Sequence, residues 1–268
     1  MLVSLIITTK NEEKNIERCL ESIKTQSYPS EEIEIIVVDN NSTDQTKEIA
    51  KKYTNNVFNH GPERSAQRNL GVKEALGKYV LYLDADMRLS KNVLTECVQM
   101  CESQSLIALY IPERIVGEGF WAKVRNFERS FYDATVVDCI RFIQRVEFLK
   151  NGGFDESLTG PEDWDLDRRI RTIGEVDIIK SPLYHNEEGF SFKRYLQKKS
   201  YYAKSFSKYI DKWGKKDKTI QKQLGFLYRY FGVFFENNKW KHLLRHPVLT
   251  VGMYSLRLMI GLLYLIHR

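Results

Sequence analysis

Residues 78–86, Lys78-Tyr79-Val80-Leu81-Tyr82-Leu83-Asp84-Ala85-Asp86, carry a buried-strand pattern straight into two carboxylates. Side chains two apart on an extended chain point to the same face. At the C-terminal end of a parallel strand, that face opens onto the crevice where α/β sheets bind ligands. Two carboxylates there suit a divalent cation such as Mg²⁺ or Mn²⁺, which keeps waters and takes substrate phosphates as its other ligands. The substrate expected from this stretch is a nucleotide diphosphate. Asp-x-Asp alone is more often a solvated turn, so its surroundings decide its meaning.

Upstream, strand and helix patterns alternate. Leu2–Thr8 reads as a buried strand, and residues 11–25 have helical periodicity through Ile16, Cys19, Leu20 and Ile23. Residues 33–38 form a second strand pattern ending at Asp39, and Ser42-Thr43-Asp44 can cap a helix running to about Tyr53. A short strand at Val57-Phe58 precedes a helix over 65–76, with Gly77 at a helix-ending position. This β-α-β-α-β-α-β succession predicts a mostly parallel, doubly wound α/β sheet. Beyond it, helices are expected at 92–103, 120–131 and 165–173, and strands at 106–111, near 140–142 and at 176–179. Residues 1–189 are thus expected to form one α/β body.

The 268 residues, 43% hydrophobic and 28% charged, are enough to bury a full core and have the composition of a folded protein. Cys19, Cys97, Cys101 and Cys139 lack metal-type spacing and read as reduced, packed thiols, which fits a reducing compartment. Met1 runs directly into a strand pattern, with no signal-peptide h-region or cleavage site. The net charge of +6 hides an asymmetry: residues 189–268 hold 17 Lys/Arg against 3 Asp/Glu, and the remainder holds 24 against 32. An acidic body with a basic, aromatic tail points to ligand chemistry in the body and a negative surface as the tail's partner.

The tail, 190–268, reads as helical. Lys193, Arg194, Lys198, Lys199, Lys204, Lys208 and Lys212 recur over a helix expected to run from Phe190 to about Trp213, with tyrosines and Phe206 between them. Residues 219–235 are aromatic-rich, and Val248–Ile266 holds one charge, Arg257, in nineteen residues. That segment would almost span a bilayer at ~1.5 Å per residue, but a mid-span arginine costs roughly 2.5–3.5 kcal/mol on insertion scales. A helix lying in the interface avoids much of that cost, and a helix packed on the body or on a second copy avoids it too.

Other polar clusters sit where the same crevice is expected. Thr8-Thr9-Lys10-Asn11-Glu12 follows the first strand, Asp39 ends the second, and Arg64-Ser65-Ala66-Gln67-Arg68-Asn69 opens a helix whose N-terminus favours anions. Further on come Gly152-Gly153-Phe154-Asp155-Glu156 and Gly160-Pro161-Glu162-Asp163-Trp164-Asp165-Leu166. In this order and spacing the pieces, over roughly residues 2–190, resemble the inverting family 2 glycosyltransferases with their GT-A fold.

The resemblance implies a GT-A catalytic domain over 1–189, with a nucleotide-binding half to about 91 and an acceptor-binding half after it, and it implies roles position by position. Thr8, Lys10, Glu12 and Asp39 would contact the nucleotide, with Arg64 and Arg68 near the donor phosphates. Asp86 would ligate the metal and Asp84 would contact ribose or a metal-bound water, joined by His185. Asp163, in the Glu162-Asp163 pair, would be the general base. The implied cofactors are Mn²⁺ or Mg²⁺ and a UDP- or GDP-linked sugar. Polymerising members carry Gln-x-x-Arg-Trp; here Gln197-Lys198-Lys199-Ser200-Tyr201 lacks the Arg-Trp, so addition of one sugar per encounter is expected. The tail adds the expectation of a lipid-linked glycan acceptor, such as a polyprenyl-phosphate-linked one. It also suggests an anionic membrane surface as partner and a peripheral or monotopic place on the cytoplasmic face. No nucleic-acid partner is expected, and a homodimer stays open. The rivals are a nucleotidyltransferase, which would not need Glu162-Asp163, and a non-enzymatic basic module binding nucleic acid or protein, which would leave the acidic crevice without a role.

Overall fold

The structure, a computed structural model, describes residues 2–188 and 191–266. The expected body–tail boundary at 189/190, the helix start at Phe190 and the side chains of Arg194 and Lys199 lie outside the described residues. The elements run β1 (Val3–Thr9), α1 (Ile16–Lys24), β2 (Ile33–Asp39), α2 (Thr46–Ala50), β3 (Val57–Asn59), α3 (Arg64–Glu74), β4 (Tyr79–Asp84), β5 (Met87–Leu89) and α4 (Val93–Gln104). There follow β6 (Ala108–Tyr110), β7 (Glu113–Val116), α5 (Gly119–Arg129), β8 (Phe142–Gln144), α6 (Arg145–Lys150), α7 (Glu162–Arg171), β9 (Val176–Ile178) and β10 (Leu183–Asn186). The C-terminal part is helical: α8 (Phe192–Ala203), α9 (Phe206–Trp213), α10 (Lys218–Leu224), α11 (Val233–Phe235), α12 (Trp240–Arg245) and α13 (Pro247–Ile266).

The main sheet has the order β3-β2-β1-β4-β8-β6-β9. The expected parallel half is present: β1 pairs in parallel with β2 and β4, and β2 with β3. Strand β8 lies antiparallel to both β4 and β6. Buried on both faces, β1 sends Val3, Leu5 and Ile7 into a core with α1 and α4, and Ile6 into a second core with Val72, Phe148, Leu166 and Ile170. The run is apolar on both sides of the pleat because helices cover both faces.

A second sheet, β5-β10-β7, was not anticipated; its strands have only three or four residues each. β10 runs antiparallel to β5 and parallel to β7, so His185 stands beside Met87 and Ile115. Gly77 is also corrected. Helix α3 ends at Glu74 with Ala75 already extended, and Gly77 sits where a β-carbon would stand 2.8 Å from the Ser4 backbone nitrogen. Close approach, not helix termination, explains this glycine.

The tail packs on the body. The expected single lysine-rich helix breaks between α8 and α9, where Ser205 Oγ donates to the Thr159 carbonyl and accepts from its N–H. Lys212, expected on a basic outer face, turns inward to Asp155 and Asp165 at 2.7 and 2.9 Å. Helix α13 lies on α5, burying Met253 and Leu256 in a cluster with Phe127, Phe131 and Phe234. Arg257 is only 6% exposed and bonds to Glu128 and to the Tyr132 hydroxyl. Its charge is thus answered by the body. Among the described residues, no helix is long and apolar enough to cross a membrane. All four cysteines are free and buried.

The contact of α3 with β1 depends on Gly71, where a β-carbon would stand 2.2 Å from Ile6 Cγ2. Gly71→Ala is expected to destabilise the fold by about 1–3 kcal/mol through overpacking. Urea unfolding would show this as a lower midpoint at unchanged slope; an unchanged midpoint would mean that Ile6 can move aside.

Candidate active site

Parallel registry brings the C-terminal ends of β1, β2 and β4 to one edge, with Thr8 beside Asp84 and Thr9 beside Asp39. Next to this edge opens a crevice of about 340 Å³ whose wall includes Thr8, Lys10, Glu12, Arg64, Asp84 and Asp86. Six of the residues singled out in the sequence therefore meet in one cavity. Asp39 does not reach the wall. It is fully buried, and its carboxylate accepts from the Ser42 N–H at 2.7 Å and from the Ser42 hydroxyl, closing its own loop.

Asp84 and Asp86 part company. Asp84 accepts from Thr8 Oγ1 at 3.0 Å, Arg68 Nη2 at 2.9 Å and Arg64 Nη1 at 3.1 Å. Burial opposes its ionisation, but the two guanidiniums outweigh burial and hold its carboxyl well below the usual carboxylate range. Its oxygens therefore face Arg64 and Arg68. Asp86 lies past the end of β4 and meets His185 Nε2 at 3.1 Å through Oδ2. Its Oδ1 is buried without a hydrogen-bond partner among the described residues.

His185 bridges two acids, since its Nδ1 lies 3.0 Å from Glu113 Oε1. Burial pushes the imidazole down, but the hydrogen bonds to Asp86 and Glu113 prevail and raise it to about 10. Glu113 is itself held well below the usual range: burial opposes this, and Arg129, His185 and Arg141 override it. Burial likewise raises the Glu12 carboxyl, against the hydrogen bond from Asn15 and with help from Asp86 and Asp84.

Arg68 is fully buried between the two halves of the body. It gives Nη2 to Asp84 and Nη1 to Asp163 Oδ1 at 2.8 Å, and its guanidinium lies over Tyr82 and Phe154. Arg64 runs parallel to it, from Asp84 to Glu162 Oε1 at 3.3 Å. Two arginines thus link the strand-end carboxylate to Glu162-Asp163 at the N-terminus of α7, where the helix dipole favours acids. Burial and the adjacent Asp163 raise the Glu162 carboxyl.

Sequence reasoning missed two contributors. Glu113 orients His185; its only local signal is an acid between Pro112 and the alternating Arg114-Ile115-Val116. The tail also supplies a wall: Lys198, Tyr201 and Tyr202 of α8 line the crevice, the Tyr202 hydroxyl lies 3.0 Å from Arg64 Nη2, and Tyr201 bonds to Glu63.

A cation fits one corner of this site. The orphaned Asp86 Oδ1 and, once deprotonated, the imidazole Nε2 would give a cation a mixed O/N donor pair, with water and phosphate as its remaining ligands. Among the described residues, no group of three or more His, Cys, Asp or Glu side chains gathers as a metal cage.

A family model described as glycosyl transferase family 2 matches residues 4–154. The poly(ribitol-phosphate) beta-N-acetylglucosaminyltransferase TarS of Staphylococcus aureus is 34% identical over 120 residues, 41% of this chain and 21% of that protein. The beta-monoglucosyldiacylglycerol synthase of Nostoc is 24% identical over 249 residues, 83% of this chain and 52% of that protein. The chain thus matches about a fifth to a half of the length of these relatives. Among solved structures, S. aureus TarS 1-349 with UDP-GlcNAc superposes with a TM-score of 0.59 at 21% identity, over 87% of this chain and 73% of that one. The mannosyltransferase PcManGT of Pyrobaculum calidifontis, with GDP-Man and Mn²⁺, gives 0.60 at 19% identity, over 97% and 80%. These superpositions show that the fold is shared.

In the metal-free protein, His185 is expected to stay charged through neutral pH and to titrate near 10. Its folded value lies above its unfolded one, so its contribution to stability is fully present below pH ~6.5 and is lost as the pH rises through about 10. Imidazole NMR shifts would follow this titration, and Asp86→Asn should lower the midpoint. A midpoint near 6.5 in wild type would contradict the bridged arrangement.

Proposed function

Because the chain belongs to glycosyl transferase family 2, we propose that its crevice moves one sugar from a UDP- or GDP-linked donor to an acceptor hydroxyl, inverting the anomeric centre. The observation that carries this reading is the pair of arginines joining Asp84 to Glu162-Asp163. Single displacement needs a leaving diphosphate on one side of the anomeric carbon and a base on the other, and this linkage supplies candidates for both.

The chain's own groups divide the work. Thr8, Lys10 and Glu12 meet the nucleoside, and Asp39 shapes the loop beside it through Ser42. Arg64, freed in part from Tyr202, meets the diphosphate. Arg68 holds one oxygen of Asp163 and leaves the other for the acceptor hydroxyl, whose proton Asp163 takes. Glu162, with its raised carboxyl, keeps Arg64 directed at the crevice. Asp86 and His185, oriented by Glu113, would hold Mn²⁺ or Mg²⁺. Such an ion, when bound, offsets the charge developing on the leaving diphosphate. Binding there requires His185 to release its proton, so cation affinity should rise with pH.

The acceptor we infer is a lipid-linked or polymeric glycan presented at an anionic membrane surface. Support comes from the exposed apolar side chains of α13 and of the segment after α10, among them Phe226, Leu227, Val251, Leu258 and Leu262, beside basic residues of the tail. Two relatives carry names that refer to a polyol-phosphate polymer and to a diacylglycerol glycolipid. A place on the cytoplasmic face of the membrane accords with this acceptor.

Calorimetry with UDP and GDP, with and without Mn²⁺, tests the donor site. Wild type is expected to bind one of the two in a metal-dependent way, and Asp86→Ala to lose that dependence. No binding to either by folded protein would sink the donor assignment. Asp163→Asn is expected to lower kcat by ~10²–10⁴-fold while keeping nucleotide affinity; near wild-type turnover would remove Asp163 as the base.

A further inference from the structure

Between the body and the C-terminal helices runs a second groove, of about 520 Å³. It meets the donor crevice at Tyr202, which lines both. Its inner end is marked by Gly160 and Trp164, on either side of Glu162-Asp163 in the chain. Its outer end is apolar, with Phe226 and Ile260, and gives onto the exposed Leu227 and Leu258.

Arg125, Arg129, Arg229 and Arg257 line the groove, with the carboxylates of Glu113 and Glu128. Arg125 also meets Glu187 and Arg129 meets Asp138, at 3.2 and 2.8 Å. Glu128 meets both Arg125, at 2.9 Å, and Arg257; Glu113 Oε2 meets Arg129 and Arg141 at 3.1 and 2.8 Å, while its other oxygen faces His185. Arg229 is half-buried, lies over the Tyr132 ring and has no carboxylate partner among the described residues. Arg257, 94% buried by its 6% exposure, has an Nε without a hydrogen-bond partner among the described residues. An arginine without a carboxylate partner in a partly dry groove favours an anion, and a guanidinium matches the geometry of phosphate oxygens.

We propose that this groove holds the phosphate of a lipid-linked acceptor. Arg229 takes the phosphate oxygens beside the unpartnered Nε of Arg257, Phe226 and Ile260 cover the first carbons of the lipid chain, and the glycan head extends past Trp164 toward Asp163. The proposal rests on the transferase reading above and names the anionic element by which its acceptor is held.

The test uses the full chain and three probes in calorimetry: octyl phosphate below its micelle-forming concentration, octyl glucoside as a neutral amphiphile of equal chain length, and glycerol phosphate as a tail-less phosphate. Octyl phosphate is expected to bind at least about ten-fold more tightly than either control, and both Arg229→Ala and Arg229→Gln to weaken it by about ten-fold, the scale of a charged hydrogen bond. Equal binding of octyl phosphate and octyl glucoside, or no change in both variants, overturns the phosphate site. Equal binding of glycerol phosphate and octyl phosphate overturns the lipid and assigns the groove to a water-soluble phosphate polymer. UDP and GDP titrated with Mn²⁺ into the same wild-type protein separate the two failures. Nucleotide binding without octyl phosphate binding rejects the groove alone, whereas loss of nucleotide binding rejects the transferase reading beneath it.

Discussion

The buried guanidinium of Arg68 is the constraint on which the rest of the site depends. An arginine does not shed its proton in a protein, so burying it requires carboxylates and hydrogen-bond acceptors nearby. Asp84 comes from the end of β4 and Asp163 from the start of α7, with the rings of Tyr82 and Phe154 against the guanidinium. The same charge therefore depresses the Asp84 carboxyl, fixes one oxygen of Asp163 and joins the parallel half of the sheet to the helix across from it. Arg64 repeats the connection at the edge of the crevice, where its head remains partly exposed.

A second charge cluster is arranged differently. Asp86, Glu113 and His185 come from segments far apart in sequence and meet because β5, β7 and β10 pair as a small sheet of their own. The imidazole is held by an acid on each nitrogen, so its plane is set before anything binds. One oxygen of Asp86 is left buried without a partner among the described residues. An unsatisfied buried acceptor costs free energy, and the site recovers that cost when a donor or cation arrives.

Much of this was legible in the chain, and the rest was hidden for physical reasons. Strands β1, β2 and β4 are apolar runs bounded by turn residues, so their period and their terminal acids could be read directly. The crevice residues Thr8, Lys10, Glu12, Asp84 and Asp86 lie within a few residues of the ends of β1 and β4, and their gathering follows from parallel pairing, while Arg64 joins them from the first turn of α3. The second sheet escaped because its short strands interleave polar residues, Arg88, Glu113, Arg114, His185 and Asn186, whereas the equally short β3, β6 and β8 are mostly apolar. Glu113 escaped with it, since its contact with His185 exists only through that pairing. His185 itself was placed by resemblance and not by local pattern. Gly77 was misread because a glycine after a helix usually ends it, whereas here the backbone of Ser4 leaves no room for a side chain. The tail was read by composition as a membrane-facing row, but Lys212 pairs inward and Lys198 faces the crevice.

The position of α8 bears on modularity. The composition changes sharply near residue 190, which invites treating the body as a catalytic cassette and the tail as an interchangeable anchor. Yet Tyr202 reaches Arg64, Tyr201 reaches Glu63, and Trp213 reaches Asp165. A cut at the compositional boundary would pass through the wall of the crevice, and a grafted tail would bring part of another enzyme's pocket with it. On the proposed function, exchange of tails between such chains would alter donor handling together with acceptor choice, and the two specificities would be inherited as one unit.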